Sequence, residues 1–220
     1  MRIVTLLKSL VYNSSVSLLT LLILGAASVF AQAPTAPKTV AFTEKDREFA
    51  IKYLNDTKAD FVKEVTGLSD AQLNFRAAPN RWTVAEVAEH IILSEGVLSG
   101  LIQGQILKSP AVEGSVFRVN DKGVILAVTN RAEKFTAPEM LKPASRFKTR
   151  DDLLTNFDKA RNQTLEFVKA NTVNMRNHFF ENPLMGMIDG YQWLLFAIGH
   201  SERHLLQLKE VKADPTFPKK

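Results

Sequence analysis

The chain has 220 residues, 45% hydrophobic and 23% charged, which suits one globular domain able to bury a core without staples. It has no cysteine, which excludes disulfides, thiolate metal sites and a cysteine nucleophile. The formal charge of +5 is scattered among acids, with no Lys/Arg block interleaved with aromatics, so no nucleic-acid partner is expected.

Residues 1–31 read as a secretory signal peptide. Arg2 and Lys8 precede the apolar run SVSLLTLLILGAASVF, and small residues follow as VFA and AQA, placing cleavage after Ala31 or Ala33. The rival reading is an uncleaved anchor, since the run is nearly long enough to span a bilayer. The expected location is secreted or periplasmic, with no membrane association after cleavage. Residues 32–42 are rich in Pro and Ala and read as a linker.

A helical domain is expected over 43–212. Thr43 caps the first helix, with Glu44 and Asp46 in its first turn and Phe49, Tyr53, Leu54, Phe61 and Val65 at helical spacing; Gly67 ends it. A short helix and an extended stretch follow in LSDAQLNFRAAPNRW. Thr83 to Glu86 form a capping box opening the second long helix, which runs to about Lys108, before Pro110. Its inner stripe comprises Val87, His90, Ile91, Ser94, Val97, Leu98 and Leu101. Residues 109–148 are the least regular; VFRVNDKGVILAV fits either a hairpin or a short helix after Asp121. Thr149 caps a third long helix bearing Leu153, Phe157, Ala160, Leu165, Phe167 and Val168. HFFENPLMGMI reads as a loop. Asp189 then caps a fourth long helix with Trp193, Leu194, Ala197, Leu205 and Leu208 on its apolar side. Residues 213–220 read as a solvated tail. Four amphipathic helices with one long connection between the second and third make an all-α four-helix bundle.

His200 and His204 lie four residues apart on the last helix, so both imidazoles reach one spot. They share a stripe with Trp193 and Ala197, which turns them toward the core. His90 occupies the inner stripe of the second long helix. If those helices are neighbours, three imidazoles converge, and three histidines with an open fourth position describe a catalytic-type zinc site. The competing reading is three core or surface histidines satisfied by hydrogen bonds. His178 lies in a loop and reads as solvated. HSERH is not HExxH: Glu202 turns away from the histidine face and reads as a surface charge. Glu95 could reach the rim of the site, but a helix-surface charge is the simpler reading. Ser201 lacks a nucleophile elbow. Gln207 shares the histidine face and is a candidate to support a ligand from behind, against the plainer reading of a polar helix edge.

RWTVAEVAEHIILSE, NRAEKFTAPEMLKPASRFKTRDDLLTNFDKAR and GYQWLLFAIGHSERHLLQLKEV, in this order and spacing, resemble the DinB-like (DinB/YfiT-like) family over about residues 44–211. The resemblance implies an up-down-down-up bundle and a divalent metal, zinc or nickel, held by His90, His200 and His204. It also implies that some relatives are thiol-dependent transferases or isomerases using mycothiol, bacillithiol or glutathione, while a metal with an open position points to hydrolysis or group transfer on a small-molecule substrate. An export signal departs from that pattern and argues against thiol transfer, because such thiol pools are mainly cytosolic. Two function classes therefore stand: a metal-dependent enzyme, and a non-catalytic extracytoplasmic metal- or ligand-binding module. A homodimer is compatible with such a bundle.

Overall fold

The computed structural model describes residues 40–112 and 119–219. The expected signal segment and most of the expected linker lie outside the described residues. The described residues form six α-helices and one hairpin, α1 (Glu44–Val65), α2 (Asp70–Leu73), α3 (Val84–Gly104), α4 (Asp121–Thr129), α5 (Arg150–Ala170), β1 (Phe179–Asn182), β2 (Gly186–Asp189) and α6 (Gly190–Lys212), together with three single 3-10 turns at Ile106–Lys108, Glu139–Leu141 and Met175–Asn177. Among the described residues no helix is long and apolar enough to cross a membrane.

Helix starts follow from capping chemistry. Thr43, Ser69, Thr83, Thr149 and Asp189 each accept a hydrogen bond from the backbone three residues on, and the residue there returns one. Each pair satisfies two amide groups that a helix N-terminus otherwise leaves without a partner. Asn120 caps α4 through Gly123 N, so the ambiguous stretch after Asp121 is a helix. The segment read as a loop before α6 is instead an antiparallel hairpin, with Phe179 opposite Asp189 and Asn182 opposite Gly186. Its three-residue connection ends at Gly186, whose φ of +71° needs glycine.

The directions of the long helices follow from their partners. Asp46 O receives the Tyr191 hydroxyl at one end of α1, while Asp60 and Glu64 pair with Lys209 and Lys212 at the other, so α1 and α6 are parallel. Arg47 reaches the carbonyls of Val168 and Asn171, and Phe61 stacks on Phe157 at 3.8 Å, so α1 and α5 are antiparallel. Val87 and Ile91 share one apolar cluster with Phe157 and Leu205, whereas Ile102 shares the other with Leu165, Val168 and Leu194. Helix α3 is therefore parallel to α5 and antiparallel to α6, and the four long helices run up-down-down-up. A parallel α3–α5 pair requires the chain to travel the length of the bundle between them, which residues 105–149 do.

The two apolar clusters are separated by a polar layer. Arg161 of α5, fully buried, donates to both oxygens of Glu95 on α3 (3.0 and 2.9 Å), to the Leu54 carbonyl and Thr57 hydroxyl on α1, and to the Ser201 hydroxyl on α6. This layer revises two expectations. Glu95 is not a surface or rim charge: five residues beyond His90, it turns toward the bundle axis, where the guanidinium offsets its desolvation. Thr57, not Phe49, continues the inner stripe of α1; Phe49 is 48% exposed and leans on Tyr53. Val97, assigned to the inner stripe of α3, is also outward-facing. At the C-terminus the expected solvated tail docks in part: Phe217 packs edge-on against Phe75, and the Pro218 carbonyl accepts from Gln72.

Candidate metal centre

Antiparallel packing of α3 on α6 brings His90 against His200 and His204. The ring centroids are 5.2 Å apart for His90–His200, 4.4 Å for His90–His204 and 4.5 Å for His200–His204. One nitrogen from each ring lies within 4.8 Å of the others. Two imidazole nitrogens on one zinc ion, at about 2.0–2.1 Å each, can stand at most about 4.2 Å apart, so small side-chain adjustments complete the geometry. No further His, Cys, Asp or Glu among the described residues joins the group. Trp82, just before the α3 cap, lays its indole against His90 at 4.9 Å and His204 at 6.3 Å, closing one flank with an apolar wall.

Two of the rings are held from behind. Nδ1 of His90 is 2.8 Å from the Leu141 carbonyl, and Nδ1 of His204 is 2.8 Å from Oε1 of Gln207. A carbonyl oxygen only accepts, so Nδ1 of His90 carries the hydrogen and Nε2 offers a lone pair; with Gln207 presenting its amide oxygen, the same holds for His204. The Ser94 hydroxyl stands 3.5 Å from Nε2 of His90, too far to engage that lone pair strongly. Nδ1 of His200 is buried without a hydrogen-bond partner. A buried imidazole nitrogen left without a partner costs free energy in a purely structural role, and a coordinated ion is one way to recover it.

The electrostatics agree. Burial lowers the pKa of all three imidazoles: His90 against the opposing pull of the Leu141 carbonyl, His204 well below the ordinary value, and His200 to about 3. The neighbouring rings and nearby guanidiniums deepen the effect at His200 and His204. All three are therefore neutral at physiological pH, the protonation state that binds a metal. The residues present fit a divalent ion.

Other residues singled out from the sequence resolve as follows. Gln207 does stand behind His204, and Arg131 approaches its amide oxygen at 3.5 Å while pairing with Glu210. Glu202 points away from the cluster and accepts from the Tyr53 hydroxyl. Ser201 faces the polar layer and is no nucleophile. His178 stays outside the cluster but is not solvated: it is 9% exposed, with Nδ1 on the Ser109 carbonyl. Sequence reasoning missed the Leu141 carbonyl, Arg131 and the buried Glu89. A backbone carbonyl has no side-chain signature, and an acidic residue beside the inner stripe of a helix reads as solvated. Trp82 was visible as the residue before a cap but not as a wall of the site.

Fold and site together define a class: a four-helix bundle with a crossover between parallel second and third long helices, and a histidine trio on one helix seam. The chain belongs to the DinB superfamily, whose family model matches residues 31–208. It is similar to the uncharacterized protein YuaE of Bacillus subtilis (strain 168), at 26% identity over 162 residues, covering 72% of this chain and 94% of that protein. Two solved structures share the fold. YfiT from Bacillus subtilis, described as a probable metal-dependent hydrolase with an unusual four-helix bundle topology, is 15% identical with a TM-score of 0.52, covering 78% of this chain and 89% of that one. TT2238, described as a four-helix bundle protein, is 20% identical with a TM-score of 0.50, covering 74% and 98%.

Proposed function

We propose that the protein is an exported metal-dependent hydrolase that holds a divalent ion, zinc or nickel, through His90, His200 and His204. The observation that carries the reading is the convergence of three neutral imidazoles, two of them engaged through Nδ1 so that the lone pair is left on Nε2. Three nitrogen ligands without a fourth protein ligand leave room for a substrate group, as catalytic sites do and closed structural sites do not. The description of YfiT supports the same reaction class. A bound ion would supply Lewis acidity, lowering the pKa of the protic group that occupies its open position. The chain's own part is to hold and shield. Leu141 and Gln207 fix the ring tautomers, Trp82 excludes water from one flank, and Arg131 steadies the Gln207 amide. The apolar segment in residues 1–31, followed by small residues, supports export. Amino-terminal sequencing of the protein from its native host tests that point, with a start at 32 or 34 expected.

The test of function is metal analysis of untagged protein, followed by a screen of small esters, amides and thiol acceptors after loading with zinc or nickel. One ion per chain is expected, with metal-dependent turnover that His90→Ala and His204→Ala abolish. Turnover that survives both substitutions refutes the reading. Tight metal binding without turnover on any substrate class favours the non-catalytic binding module.

A further inference from the structure

Glu89 immediately precedes the ligand position on α3, yet it is 2% exposed and does not face the histidines. Its carboxylate accepts from the backbone amides of Ala144 (2.9 Å) and Arg146 (3.3 Å), and from the Arg146 guanidinium (2.8 Å). The residue between those two amides, Ser145, has a φ of +55°, the only non-glycine positive φ among the described residues. In that conformation the flanking amides point to one side and form a concave seat for an anion. A left-handed serine is uncommon and needs a compensating contact, and here the Glu89 carboxylate fills the seat. The same Arg146 guanidinium donates to the Lys142 carbonyl at 3.0 Å, tying the turn to the residue directly after Leu141. Leu141 in turn supplies the carbonyl behind Nδ1 of His90.

We infer that Glu89 is a positioning residue of the histidine site: by clamping the 142–146 turn to α3 it holds the Leu141 carbonyl on His90 and so sets that ring's tautomer. One helix therefore supplies both the ligand and the anchor for the segment that orients it. His90 rotates about its own side-chain bonds, and between Leu141 and Phe147, which packs on the apolar cluster of α3, the Glu89 carboxylate is the contact that ties the turn's backbone amides to α3. Without the clamp the Leu141 carbonyl leaves, and Nε2 no longer carries the lone pair in a single tautomer. The consequence for metal affinity rests on the proposed metal role; the consequence for the tautomer does not.

The test uses two variants that break the clamp from opposite sides. Glu89→Ala removes the anion. Ser145→Val places a β-branched residue in a conformation it resists, at an exposed position without core contacts. Glu139→Ala, which removes the exposed Lys142–Glu139 pair on the same segment, is the control. Nitrogen NMR of the metal-free full chain reports the His90 tautomer, and cobalt(II) absorption reports affinity. In the wild type and the control, hydrogen on Nδ1 and full cobalt affinity are expected. In both clamp variants a mixed tautomer and an affinity lower by about 10–100-fold are expected, the usual cost of losing a partner behind a metal ligand. A wild-type tautomer in the clamp variants overturns the inference. If Glu89→Ala fails to fold, Ser145→Val decides alone. If the wild type takes up no cobalt, the metal reading fails, while the tautomer comparison still decides the clamp.

Discussion

At the scale of single residues, the ligand candidates carry two consequences that solution measurements can check. The three imidazoles are less basic than free histidine, with burial as the main cause. Protons therefore compete poorly for their lone pairs, and a bound zinc ion should be retained well below the ordinary histidine pKa of about 6.5. Titrating retained zinc from neutral to acidic pH should place the midpoint below 6; a midpoint at 6.5 or above contradicts the burial argument. The metal-free protein carries the same linkage. Folded pKa values below the unfolded one mean stability that is full above about 6.5 and lost as pH falls toward about 3. Gln207 gives a second check. Gln207→Ala removes the acceptor behind Nδ1 of His204 and should lower zinc affinity by about 10–100-fold, with little change in melting temperature, because the residue is half-buried at the helix edge.

At the scale of elements, the start of α6 is the place to perturb. Asp189 is fully buried, caps the helix through Gln192 N at 2.7 Å, and meets the Arg176 guanidinium, which also serves Asp46 and Asp121. Burial pushes its pKa up to about 6 despite that cation, from an ordinary 3.8. A raised folded pKa means a stabilising contribution that is full below about 3.8 and lost as pH rises through about 6. Asp189→Asn keeps the cap without the titration, so its melting temperature relative to wild type should improve between pH 4 and pH 7. Asp189→Ala, which loses the cap, should cost about 1–2 kcal/mol in urea unfolding. Capping is also the part of the structure that the sequence displayed most openly. Thr43, Thr83, Thr149 and Asp189 were readable as starts because each precedes an apolar period with a suitable partner three residues on. The hairpin was not readable: its strands have four residues each, and Pro-Leu-Met joins them without a strong turn dipeptide. The histidine trio was legible because helical spacing turns His200 and His204 to one face and His90 to the inner stripe. The groups behind the rings were less so: one is the carbonyl of Leu141, delivered by a crossover whose path no periodicity describes.

At the scale of the whole molecule, the buried Arg161 of α5 ties its own helix to the three other long helices. Periodicity had no means to find it, since charged residues on a helix are expected to face water. Arg161→Met should destabilise the fold by about 3–5 kcal/mol in urea unfolding, because it leaves the Glu95 carboxylate buried without its cation. Arg161→Met with Glu95→Gln should recover part of that loss; no recovery would mean that the two side chains act independently. The parallel run of α3 and α5 has a different kind of result. The strap between them is long because topology demands it, and it passes over the seam where His90 meets α6, contributing Arg131 and Leu141 on the way. Lengthening such a strap costs little, roughly 0.6 kcal/mol per doubling, and leaves the helices that carry the rings undisturbed. The strap beside the histidines can thus be retailored, by selection or by a protein engineer, as a collar around an unchanged socket.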